Sequence, residues 1–429
     1  MKIHIKNGHV IDPKNKTDSL QDVFIAAGKI VGIGKAPNEF AANQTIDADG
    51  SIICPGLVDL SARLREPGFE YKATLISEMQ AAAAGGVTSL ACPPDTDPVL
   101  DEPGLVEMLK HRAKQLNLAH VYPLGALTRQ LKGMQITEMC ELAEAGCVGF
   151  SQADSAITDT QVLWRAMQYA ATFGFTIWLR PEDHYLAQNG VAHDGEIAAR
   201  LGLKGIPSAA EALAVASILR IAQETSAKVH LCRLSTAEAV EMVRMAKKHG
   251  IKVSCDVSAN HLHLTEHDIG FFNANCNIKP PVRTQRDCAA LSQGLNDGTI
   301  NAICSDHTPV DDDAKLLPFA EAEPGATGLE LLLPLTLKWA ALHKIPLINA
   351  INCITQAPAQ VLGIDAGDLS INSNADVCIF DPNQYWKIEA KALKSQGKNT
   401  PFLGLELAGK VRYTILNGQL IYQNQSYSA

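Results

Sequence analysis

Eight times between residues 57 and 305 a short apolar stretch gives way to an amphipathic one, and this alternation constrains the 429-residue chain more than any other feature. The strand-like stretches are 57–60, 88–91, 120–124, 147–150, 176–179, 229–232, 252–256 and 302–305. Between them lie segments of helical period such as "YKATLISEMQAAAAG", "DTQVLWRAMQYAATFG" and "TAEAVEMVRMAKKHG". Parallel strands need crossover connections, and a helix in each crossover covers the sheet, so the pattern predicts a parallel sheet wrapped by helices. Eight β–α units over about 300 residues is the count of a (β/α)8 TIM barrel. An open doubly wound sheet is the competing arrangement, but no Gly-x-Gly-x-x-Gly follows any of these strands.

The two ends of the chain have a different texture. "KIHIKNGHVI" and "DVFIAAGKIVGIG" alternate with a period of two, and the same rhythm returns in "VRYTILNGQLIY", where Asn417-Gly418 marks a hairpin. The expected layout is therefore a small β-sandwich domain built from 1–54 and 363–429 around a barrel at 55–362.

A net charge of −9 and a pI near 5.8 argue against a nucleic-acid or anionic-membrane surface. No apolar run reaches the roughly 20 residues that cross a bilayer. The opening "MKIHIKNGHVIDP" lacks the apolar core of a signal peptide, so a cytoplasmic location is expected. The 11 cysteines form no Cys-x-x-Cys pair and several sit in apolar runs, which predicts reduced, buried thiols.

Barrels carry their chemistry at the C-terminal ends of the strands. Those ends hold "DLSARLR", "CPPDTDP", "FSQAD", "LRPED", "CRLST" and "CSDHTP". The stretch "PGLVDLSARLREPGFEYKATLISEMQAAAAGGVTSLACPPDTDP" resembles the class I dihydroorotase pattern of the amidohydrolase superfamily. "GEIAARLGLKGIPSAAEALAV", "KPPVRTQRDCAALSQGLNDGTINAICSDHTP" and "EPGATGLELLLPL" match further blocks of that family in order. The resemblance covers essentially the whole chain and implies an amidohydrolase-type barrel with a flanking β domain.

It also implies a zinc centre whose ligand positions here read Ser61, Arg63, Ala153, Arg180, Arg233 and Asp306; only the last keeps a ligand. In "FSQAD" the family's bridging carboxylate is replaced by Gln152 and Ala153, with Asp154 displaced by one residue. Zinc in such a site takes neutral imidazole and carboxylate donors and keeps a position open for water. A guanidinium offers only donors, and its pKa above about 12 keeps it charged. Neither metal nor other cofactor is therefore expected, and Arg63, Arg180 and Arg233 are expected to pair with Asp306, Glu182 or Asp183. Of the substrate positions the resemblance implies, Arg65 survives, while Asp95, Lys279 and Val310 depart from the pattern; Asp95 is expected to repel an anionic substrate. His230, His261, His263 and His307 are the remaining candidates for a relocated metal site.

From these losses the sequence predicts a chain without catalytic activity. The family contains non-catalytic members that assemble with the aspartate carbamoyltransferase catalytic subunit in pyrimidine (UMP) biosynthesis, so that partner is expected, with a homo-oligomer inside a hetero-oligomer. The alternative is an active dihydroorotase, or another cyclic amidohydrolase, with an atypical metal site.

Overall fold

The computed structural model describes residues 1–424. Its centre is an eight-stranded parallel sheet whose strands neighbour one another in chain order. They are Leu57–Asp59, Val87–Cys92, His120–Ala126, Gly149–Ser151, Thr176–Leu179, Lys228–Leu231, Val253–Ser258 and Ala302–Cys304. The first and eighth strands meet just beyond their ends: the Arg63 amide donates to His307 O and the His307 amide to Ser61 O. At the opposite end the Val58 and Ile303 amides donate to the carbonyls of Ile354 and Cys353, so the intervening chain completes the ring. Val87–Cys92 is buried at every residue, as a strand covered on both faces must be. The sequence placed all eight strands, with no end displaced by more than two residues.

The helices start where side chains satisfy their free amides. Thr74 and Ser77 form a capping box on Leu75–Ala84, Asp159 caps Thr160–Phe173, Thr236 caps Ala237–Lys248, and Thr284 with Asp287 caps Gln285–Asn296. One feature lay outside the sequence pattern: a two-stranded pair, Ala192–His193 with Gly205–Ile206, inside the long connection between the fifth and sixth strands.

Both ends of the chain build the flanking β unit. A four-stranded sheet comes from the first 47 residues, and a six-stranded sheet places Ile52–Pro55 beside Val377–Lys387. Ile3, Ile5, Ile25, Ile53, Val377 and Ile415 share one buried cluster between them. The hairpin at Asn417-Gly418 forms, with φ of 49° and 70°, the left-handed pair that a tight two-residue turn requires. All 11 cysteines are free thiols. Among the described residues no helix is long and apolar enough to cross a membrane.

One buried acid ties barrel to flank. Glu78, fully buried on Leu75–Ala84, accepts from His307 Nε2 (2.6 Å), Ser395 Oγ (2.6 Å) and the Gln396 amide (3.0 Å). The Gly328 amide donates to His307 Nδ1, which leaves Nε2 as the donor toward Glu78. Burial works against ionising Glu78, but the His307 bond and the serine hydroxyls outweigh it and hold the carboxyl below its ordinary range. A depressed carboxyl stabilises the fold above the unfolded pKa of about 4.3 and loses that contribution as pH falls through the lower folded value. Glu78→Ala is expected to cost about 3 kcal/mol at neutral pH in urea unfolding. Glu78→Gln should flatten the acid limb of the stability profile, and an unchanged limb would show that Glu78 does not set it.

Candidate functional site

Four of the strand ends that the sequence singled out turn left-handed at the critical residue: Arg65 (φ 62°), Ala153 (φ 50°), Arg233 (φ 55°) and Asp306 (φ 50°). Such backbone is costly for residues with a Cβ and persists where surrounding contacts over-determine it. At Ala153 the consequence is direct. Its methyl packs with Ala126 and Leu131, and the next residue, Asp154, is delivered into the mouth.

Asp154 is the hub. Its Oδ2 accepts from Arg63 Nη2 (2.8 Å), and its Oδ1 accepts from Arg180 Nε (2.7 Å) and Arg233 Nη2. Each guanidinium reaches further. Arg63 Nε donates to Asp95 (2.7 Å) and Nη1 to Thr308 Oγ1 (2.9 Å); Arg180 Nη2 donates to Glu182 (2.8 Å); Arg233 Nη1 donates to Asp306 (2.8 Å) and to Lys279 O (3.2 Å). Three cations are thus interleaved with four carboxylates, and the arginine side chains are almost fully buried.

The electrostatics follow from burial and neighbours. Desolvation opposes the charge on Asp154, but Arg233, Arg63 and Arg180 overcome it and hold the carboxyl well below the usual carboxylate range. Asp306 is the converse: burial pushes its carboxyl up, and Arg233 and Arg63 only partly offset this. Two carboxylates in one mouth are thereby driven apart, the pattern that separates a permanent anion from a group able to take a proton.

The arginines converge as expected, and Arg233–Asp306 and Arg180–Glu182 pair as expected. Asp183 does not join them; it accepts from the Tyr185 and Leu186 amides at a helix start. Sequence reasoning missed Asp154 as the centre. The available signal was that it is the sole acid in "FSQAD". Ser61 is buried on the mouth wall, and Gln152 is occupied elsewhere, by Thr128 and Leu131 O. Arg65 donates to Pro309 O (2.8 Å), Lys279 is exposed, and Val310 is buried with its amide on Asn399. The charge on Asp95 is met by Arg63, so the repulsion expected of it toward an anion is largely cancelled.

The donor set does not fit the zinc that the resemblance implies. Guanidinium cannot ligate, and the two carboxylates nearest the ligand positions, Asp154 and Asp306, are both taken by guanidinium. Among the described residues no group of three or more His, Cys, Asp and Glu could hold a metal. The four histidines are spent separately: His230 on Asp256 (2.9 Å), His307 on Glu78, His261 on Pro280 O and His263 on Leu335 O. Burial pushes both His261 and His263 down to about 4.

Asp154→Ala leaves three guanidiniums facing each other without their shared anion. With 27% of the Asp154 side chain exposed, solvent screening trims the penalty, and a loss of about 3 kcal/mol is expected in urea unfolding. Sulfate should recover more stability in Asp154→Ala than in the parent. A loss under about 0.5 kcal/mol would show that the network contributes no more than surface ion pairs do.

Comparison with known proteins places this geometry. Residues 50–239 match the "Dihydro-orotase-like" family model. A Dihydroorotase-like protein of Pseudomonas aeruginosa is 42% identical over 99% of this chain and 100% of its own length. A dihydroorotase of Geobacter sp. is 39% identical, with the same coverage of both chains. The L-hydantoinase from Arthrobacter aurescens superposes with a TM-score of 0.87, covering 98% of this chain and 96% of its own at 23% identity, a likeness of fold.

These relatives overturn the expectation of a chain without catalytic activity. Proteins named dihydroorotase align with it from end to end, and nothing among them points to lost activity. The inference from ligand loss reached too far: lost imidazoles remove one way of activating water, yet Asp306 and a ring of guanidiniums remain. With relatives about 40% identical over virtually all its length, this chain belongs to the dihydroorotase-like family.

Proposed function

We propose that the chain is a cyclic-amide hydrolase of pyrimidine metabolism, acting on dihydroorotate or a related ring, in which guanidinium charge takes the electrostatic role of a metal. The observation that carries this is Asp306 at the end of the eighth strand. It is a carboxyl raised by burial, set between Arg233 at 2.8 Å and Arg63 at 3.7 Å. The names of the full-length relatives supply the substrate class.

In the proposed reaction Asp306 accepts a proton from water as the oxygen attacks the ring carbonyl. Guanidinium N–H groups meet the oxyanion, the C–N bond breaks, and the ring nitrogen takes up the proton. Fixed donors on nearly buried arginine side chains are effective at this because they need little reorganisation as charge develops. The retained Arg65 lies on the same wall as a candidate for the substrate carboxylate. No metal is required in this scheme.

Ring opening of dihydroorotate by the purified chain should be unaffected by a chelator. Asp306→Asn should slow it by about a hundredfold or more. Absence of turnover in the parent protein, or its loss on chelation, would overturn this proposal.

A second reading, assembly with the aspartate carbamoyltransferase catalytic subunit as a homo-oligomer within a hetero-oligomer, is supported by the closed network itself. Side chains that pin six strand ends together give a stiff mouth, and stiffness lowers the cost of docking. Mixed with that subunit, the chain should co-elute in one larger species on size exclusion and shift the transferase activity. Separate elution with unchanged transferase kinetics would dismiss this reading.

A further inference from the structure

The loops after the seventh and eighth barrel strands carry the most exposed aromatic of the described residues: Phe271 is 101% exposed, beside the exposed Phe272. Leu316, 82% exposed, and Leu317 project from the neighbouring loop. Scattered exposed apolar residues are ordinary; four of them on two loops that are hydrogen-bonded to one another are less so.

The loops are stapled from beneath. Lys315, next to Leu316, donates from Nζ to Ala274 O (2.9 Å) and Asn277 O (3.2 Å). Asn277 Nδ2 donates back to Phe319 O and Ala322 O, both at 2.9 Å. Phe272 sits at φ 60°, a conformation costly for a bulky residue, in a loop these bonds hold in place. The rings are therefore presented on a rigid base, with little ordering left to be done on binding.

The surroundings are acidic. Asp268, Asp312, Asp313 and Glu321 are exposed on the same two loops. A symmetric contact between two copies would set these carboxylates against their own kind in a chain of net charge −9, which is repulsive. The complementary occupant is basic.

We propose that these two loops form a docking surface for a different protein, one that presents an apolar hollow ringed by lysines or arginines to receive Phe271, Phe272, Leu316 and Leu317. Aromatic anchors inside a charged rim are the arrangement in which a few side chains carry most of the binding energy. The surface lies at the end of the barrel that holds the arginine network, and it is independent of which chemistry the mouth performs.

The full chain can be titrated with a fluorescein-labelled amphipathic peptide of leucine and lysine, and with its leucine–glutamate counterpart, by anisotropy. The basic peptide should bind and the acidic one should not. The double variants F271S/F272S and L316S/L317S, checked for unchanged thermal unfolding, should each weaken binding about tenfold or more. Replacing Asp312, Asp313 and Glu321 by their amides should weaken it further at low salt. Equal binding of both peptides, binding of neither, or undiminished binding by both double variants would overturn the proposal. So would a parent dimer in sedimentation that F271S/F272S dissolves, because the face would then belong to a second copy.

Discussion

One carboxylate shared by three guanidiniums sets the terms for the mouth of this barrel. Arg63, Arg180 and Arg233 come from the ends of the first, fifth and sixth strands, and Asp154 comes from the fourth. Asp306, from the eighth, closes the circuit through Arg233. Any one of the buried guanidiniums alone would be expensive; together with their carboxylates they are tolerable because each faces its opposite. The members are therefore interdependent, and the network acts as a single polar plug joining strand ends that are far apart in sequence.

The rest of the fold supplies the rigidity this plug needs. The flanking sheets hold Ile52–Pro55 directly before the first barrel strand, so the residues leading to Arg63 and Arg65 leave a fixed frame. Glu78 performs the equivalent task on the other side of the seam, fastening His307 and through it the turn that carries Asp306. Backbone strain at Arg65, Ala153, Arg233 and Asp306 sits at the same points. Side chains so heavily over-determined keep their geometry, whether the mouth binds a ring or braces a neighbouring chain.

Much of this was legible in the sequence. The eight strands, the paired ends and the Asn417-Gly418 hairpin follow from periodicity and turn chemistry, which are local properties. The convergence of three arginines follows from their positions after the first, fifth and sixth strands, because a barrel gathers strand ends whatever their residues are. The centring on Asp154 was not legible. It depends on a left-handed turn at Ala153 that tertiary packing imposes, and no local propensity announces such a turn for alanine. The pairing of Arg63 with Asp95 was likewise hidden, since charges read one strand end at a time do not reveal which pairs neutralise each other. The step from missing imidazoles to missing activity failed for a chemical reason: ligand identity speaks to the metal, and hydrolysis can in principle rest on other groups.

Guanidinium–carboxylate charge standing in the place of a metal centre is the claim that joins fold, site and proposed chemistry. It is tested most directly by dialysing the purified chain against zinc, removing free ion and measuring bound metal by mass spectrometry. Far less than one equivalent should remain bound, with Arg63, Arg180 and Arg233 continuing to hold Asp154. A retained pair of zinc ions per chain would contradict it, because the arginines would then have to leave the mouth to admit them.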